Sequence, residues 1–128
     1  MNYIDMKDIA LVFLGGGLGS ISRLLVGKFY KIWQPTFPMA TLTANFLSCF
    51  VFGVILMLGV EKLNINYNLK LLFITGFCGG FSTYSAFIFE TVELFKTGQD
   101  GLGFSNIAAN FVLSLVGLYL GSVLVRML

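Results

Sequence analysis

Residues 71–89 read LLFITGFCGGFSTYSAFIF, nineteen consecutive positions without a charged side chain. About 20 apolar residues carry an α-helix across the hydrocarbon core of a bilayer, so this stretch alone points to lipid as the chain's solvent. Charge-free runs of similar or greater length occupy Ile32–Val60 and Gly101–Val125, and Ile9–Val26 carries only Arg23, near its end where a long side chain reaches the headgroups. The sequence therefore predicts an all-α membrane protein of four transmembrane helices, a single domain over residues 1–128. Composition agrees: the chain is 57% hydrophobic and 11% charged with a mean hydropathy of +0.89, whereas soluble domains carry roughly 25% charged residues.

The same stretch holds an internal irregularity. Glycine and hydroxyl residues crowd Gly76-Phe77-Cys78-Gly79-Gly80-Phe81-Ser82-Thr83-Tyr84-Ser85, which predicts a third helix broken at mid-membrane. Backbone broken at that depth is tolerated where protein or a bound ion satisfies the freed carbonyls. Two readings follow: a cation site for Na⁺ of the kind built by discontinuous helices, or a packing kink satisfied by the Ser and Thr side chains. Tyr84 and Phe87 follow at i and i+3 and so share a face. An aromatic ring offers a positive edge that an anion can approach, although such a pair also serves packing.

Two further polar stripes lie inside spans. Thr41, Asn45 and Ser48 share one face of the second helix, and Asn106, Asn110 and Ser114 lie close to one face of the fourth. Amides and hydroxyls donate hydrogen bonds without carrying charge, so such stripes can either replace water around an anion or hold helices together. Small residues four apart, Gly15 and Gly19, Gly76 and Gly80, Gly117 and Gly121, mark faces where helices approach closely. The loops are expected at Lys28–Pro38, with Trp33 at the interface and Pro35 and Pro38 opening the second helix, at Glu61–Asn68, and at Lys96–Gly103. Cys49 and Cys78 sit in apolar segments and read as small hydrophobes.

Basic residues divide evenly between the two sides: Lys7, Lys62, Lys70 and Arg126 against Arg23, Lys28, Lys31 and Lys96. The positive-inside rule selects no orientation from four against four. That balance is either chance in a small protein or the mark of dual topology, in which copies insert both ways and pair as an antiparallel twofold homodimer. A cleaved signal peptide is not expected, since Asp5 and Asp8 stand where a basic run would be. A net charge of +2 without clustered Lys and Arg excludes a nucleic-acid footprint. No histidine is present, and Glu61, Glu90, Glu93 and Asp100 read as lying near span ends or in loops, which argues against a proton relay or an exporter of cationic compounds. No nucleophile has a credible base, so no enzyme chemistry is expected.

Gly16-Gly17-Leu18-Gly19-Ser20-Ile21-Ser22-Arg23, Thr41-Leu42-Thr43-Ala44-Asn45, the segment Gly76–Phe87 and the pair Asn106 and Asn110 together resemble the CrcB/Fluc family of fluoride channels. The resemblance runs through all four helices. It implies an antiparallel dimer in a bacterial cytoplasmic membrane, passive export of fluoride that protects the cell's enzymes, and a structural Na⁺ held by the backbone carbonyls of Gly79 and Ser82 from both copies. It further implies a fluoride path lined by Asn45, Tyr84, Phe87, Asn110 and Ser114, with Arg23 toward a vestibule. Against the family pattern Tyr84 replaces phenylalanine, Ser82 replaces threonine, Ser48 stands in place of glycine and Ala86 in place of threonine. A dual-topology exporter and a non-transporting accessory subunit are the rival readings.

Overall fold

The two longest helices of the chain carry an acidic residue in the first turn and a basic one in the last. The computed structural model describes residues 5–62 and 65–128. In α1 (Met6–Lys31) the Asp5 side chain accepts from the Lys7 N–H at 3.3 Å, Asp8 lies in the first turn, and Lys28 and Lys31 occupy the last. Acids at the N-terminus and bases at the C-terminus complement the helix dipole, which is why the helix runs on through Lys31 and the first loop starts at Ile32 rather than Lys28. The second helix, α2 (Met39–Met57), follows Pro38 and continues into a π-helical turn, Leu58–Lys62. Leu63 and Asn64, in the expected second loop, and Met1–Ile4, within the expected leader-free start, lie outside the described residues. That second loop is shorter than Glu61–Asn68, because the Asn66 side chain accepts from the Leu69 N–H at 3.0 Å and caps α3 (Tyr67–Lys70).

From α3 the chain passes into a π-helical segment, Leu71–Cys78, then α4 (Gly79–Phe81), and after Ser82 and Thr83 resumes as α5 (Tyr84–Lys96). Gly98 adopts φ +73°, a left-handed conformation that glycine supplies without strain, and ends α5. Only Thr97–Gln99 separate α5 from α6 (Asp100–Met127), whose first turn holds Asp100, so the expected loop at Lys96–Gly103 is mostly helical. Four stretches are long and apolar enough to cross a membrane: Met6–Lys31, Met39–Val60, Tyr67–Lys96 and Asp100–Met127.

α2 packs along α6, while α1 packs against the π-helical segment and α4. Both seams run through glycine. A Cβ on Gly76 would lie 2.9 Å from the Gly15 Cα and 3.1 Å from the Val12 carbonyl oxygen, and one on Gly117 would lie 2.8 Å from the Phe46 carbonyl oxygen. Gly19 meets Phe77 and Phe81, Gly80 meets Gly16, and Gly121 meets Phe50, in each case backbone against backbone. Lipid offers no hydrophobic driving force between helices, so this close approach and its dispersion contacts hold the bundle. Gly76→Val is accordingly expected to destabilise the folded protein by about 1–3 kcal/mol. Gly101→Ala, where an added Cβ meets nothing within 4 Å, should be neutral or slightly stabilising. Thermal unfolding in detergent checks the pair, and equal midpoints would remove the seam's importance.

Large apolar side chains face outward, as with Phe13 at 77% and Phe111 at 68% exposure. Several of the side chains turned inward are polar: Thr41, Ser48, Thr83, Thr91, Asn106 and Asn110 are all buried. This apolar exterior around a polar interior is what lipid solvation and an internal polar site together require. Cys78 is buried and Cys49 half-buried, both as free thiols.

Candidate functional site

The interruption at Ser82 and Thr83 frees backbone groups, and α2 supplies partners for them. Thr83 N–H donates to Asn45 Oδ1 at 2.8 Å instead of continuing the helical ladder toward the Gly79 carbonyl. The Cys78 carbonyl accepts from the hydroxyls of Ser48 and Ser82, both at 2.8 Å, and from the Ser82 N–H at 3.0 Å. Ser48 therefore does what a glycine there could not. The Thr83 hydroxyl accepts from the Ala86 N–H at 3.2 Å and caps the start of α5. Part of the break is thus satisfied by side chains, yet the Gly79 carbonyl has lost its helical donor to Asn45. The space where a Gly79 side chain would stand is open to 4 Å.

Asn45 also opens a ladder of amides. Its Nδ2 donates to Asn110 Oδ1 at 2.9 Å and lies 3.4 Å from the Thr83 carbonyl oxygen. Asn110 Nδ2 donates in turn to Asn106 Oδ1 at 2.9 Å and to the Asn106 carbonyl at 3.1 Å. Asn106, with no exposed surface, donates to Thr91 Oγ1 at 2.9 Å, and the Thr91 hydroxyl donates to the Phe87 carbonyl at 2.7 Å. A buried amide left unpaired would cost about 1–3 kcal/mol, so the ladder fixes the mutual placement of α2, α5 and α6.

A cleft of about 550 Å³ opens beside this ladder. Asn45, Tyr84, Phe87, Asn110 and Ser114 all line it, so five of the six residues assigned to the fluoride path stand on one surface, together with Ser82. The rings of Tyr84 and Phe87 lie 5.7 Å apart, tilted by 55°, and Tyr84 is 76% exposed. The Ser114 hydroxyl is half-buried and has no hydrogen-bond partner among the described residues. Arg23 is not part of this cleft; it sits half-buried on α1. Asn106 stands behind the wall as a support.

Two residues at this site escape a reading by depth alone. Glu90 was expected near a span end; it lies six residues before Lys96, its side chain is half-buried, and its Oε1 accepts from the Thr41 hydroxyl at 2.7 Å. Its Oε2 is buried with no partner among the described residues. Glu90 therefore lies near the end of the third span, as its place in the sequence indicates, but turned inward toward α2. Thr91 is the other. Both follow Phe87 at i+3 and i+4, so helical spacing placed them on the aromatic face.

The family model described as CrcB-like protein, Camphor Resistance (CrcB), matches residues 10–122. The chain belongs to the CrcB family. Similar curated relatives carry the name fluoride-specific ion channel FluC. That of Rhizobium etli is 41% identical over 96% of this chain and 99% of its own length. That of Dehalococcoides mccartyi is 42% identical over 93% and 95%, and that of Pyrococcus horikoshii 36% identical over 96% and 99%. This CrcB-family chain is a multi-pass membrane protein of a non-enzymatic kind, and its polar cleft needs explaining by binding or passage rather than catalysis.

Proposed function

We propose that the chain is one half of a passive fluoride channel, completed by a second copy inserted in the opposite sense. The observation that carries this is the cleft itself. It gathers neutral donors and ring edges and no cation, in a chain whose relatives are named as fluoride-specific channels. A desolvated fluoride needs several short hydrogen bonds, and a fixed positive charge nearby would hold it too tightly to leave. Asn45 can redirect the N–H whose nitrogen lies 3.4 Å from the Thr83 carbonyl oxygen, and Ser114 has an uncommitted hydroxyl. The edges of Phe87 and Tyr84 carry partial positive charge. Arg23 stays outside this constriction, toward a vestibule. Chloride is rejected because donors spaced for a smaller ion cannot close around it.

Tyr84, an exposed aromatic ring on the rim of a polar cleft, needs a cover that lipid does not provide well, and a second copy supplies one. The even division of basic residues is compatible with insertion in both senses. At the pair's centre the break falls at mid-membrane, and the Gly79 and Ser82 carbonyls of each copy would hold a Na⁺. The ion would supply fixed charge that keeps two sets of carbonyl dipoles together. The diverted Gly79 donor and the open space beside it fit that role.

Purified protein in vesicles loaded with potassium fluoride, opened with a potassium ionophore, tests the reading with a fluoride electrode. Fluoride should leave within seconds while matched chloride-loaded vesicles hold their contents. Retained fluoride would overturn the proposal, and so would proton movement driven by a cationic compound, which is the exporter's signature.

A further inference from the structure

The hydrogen bonds of the ladder all point one way, and the reason lies at its two ends. Thr83 N–H can only donate, so it fixes Asn45 with Oδ1 toward the break and Nδ2 toward Asn110. The Phe87 carbonyl can only accept, so it fixes the Thr91 hydroxyl as its donor and leaves the Thr91 lone pairs for Asn106 Nδ2. Between these ends Asn110 and Asn106 each present oxygen on one side and nitrogen on the other, in the same sense. Both ends belong to the start of α5, four residues apart. The ladder is therefore a closed loop through α2 and α6, whose direction is set by two backbone groups that cannot exchange roles.

We infer that Thr91 is the positioning residue of this loop: its hydroxyl locks the donor sense of Asn106 and, through it, Asn110, in register with the sense Thr83 sets at Asn45, and anchors Phe87, so that the cleft wall keeps one fixed pattern of donors. Thr91 is buried, lines no part of the cleft and acts only through its neighbours. Valine keeps its shape and removes its hydroxyl. Asn106 Nδ2, with no exposed surface, then has no acceptor, and either asparagine on α6 can turn over to move the unpaired donor along the ladder. In the turned state Asn110 shows nitrogen, not oxygen, to Asn45 Nδ2, and two donors face each other at the wall.

This inference rests on the fluoride reading, so wild-type flux is its control: silent wild-type vesicles refute the channel, and only conducting wild type bears on Thr91. Thr91→Val is expected to lower the fluoride rate per active vesicle about tenfold and to reduce discrimination against chloride, with the dimer intact by size-exclusion chromatography. Thr91→Ser, which keeps the hydroxyl, should restore both to within about twofold. A residue needed only for folding would lower the fraction of active vesicles and leave rate and selectivity per channel unchanged. In an Asn106→Leu background, Thr91→Val should add nothing further, because the loop is already open. If Thr91→Val yields no dimer, Thr91→Cys, of similar size with a weak donor, is read by the same criteria. Wild-type rate and selectivity in the hydroxyl-free variant, or a serine variant as impaired as valine, overturns the inference.

Discussion

Asn45→Ala is expected to reduce fluoride flux by at least about 30-fold in vesicles that still contain a dimer. The change leaves Thr83 N–H without its acceptor at 2.8 Å and Asn110 Oδ1 without its donor at 2.9 Å. Each buried group left unpaired costs about 1–3 kcal/mol, so the conducting geometry loses about 2 kcal/mol or more, and every 1.4 kcal/mol is about tenfold in population. With its N–H diverted nowhere, the Thr83 backbone can return to the Gly79 carbonyl and heal the break. The variant would then lose the ion path and the carbonyl set together. Fluoride-electrode traces on protein first passed through size-exclusion chromatography measure the loss. Wild-type rates would show that Asn45 neither holds the break nor meets the ion.

Phe87→Leu carries the second largest expected effect, about a tenfold fall in the fluoride rate per active vesicle. Leucine keeps most of the volume and all of the apolar character, so packing on α6 should survive. What disappears is the ring edge, and with it the tilted contact to Tyr84 at 5.7 Å. Aromatic geometry is worth about 0.5–1.5 kcal/mol beyond buried area, and the upper end of that range corresponds to about tenfold. Phe87→Tyr keeps the edge and should conduct. If leucine matches wild type while the tyrosine variant fails, the position needs only apolar bulk for packing and the ring edge plays no part.

The spans were legible because lipid leaves a chain little choice. Backbone polar groups must be satisfied within the helix, and about 20 apolar residues are needed, so hydropathy alone locates all four. Helix ends were placed too early or too late because Lys28, Lys31 and Asp100 read as loop charges; in the structure they complement helix dipoles. Asn45, Tyr84, Phe87, Asn110 and Ser114 lie on the polar and aromatic faces read from spacing, the family resemblance picks them from those faces, and the fold brings them onto one cleft. Ser48 was read as a departure and proves to satisfy the Cys78 carbonyl. Glu90 was judged by its distance from the span end, although its spacing from Phe87 put it on the inner face. The pairings could not be read at all, since Asn45 meets Thr83 across 38 residues and Thr41 meets Glu90 across 49. Such contacts depend on how helices cross, which glycine spacing permits without specifying. The direction of the amide ladder is set by backbone donors and acceptors at a break, and no side-chain pattern records it.

The claim on which the account depends is that uncharged dipoles and ring edges select the smallest halide. A planar bilayer holding the purified protein, with a tenfold fluoride gradient and equal chloride on both sides, measures this through the reversal potential. The account predicts a value at the fluoride equilibrium potential, about 59 mV from zero for a tenfold gradient of a monovalent ion. A reversal shifted well below that value toward zero would show that chloride passes alongside fluoride, and the cleft would then be a wet seam between helices instead of a filter.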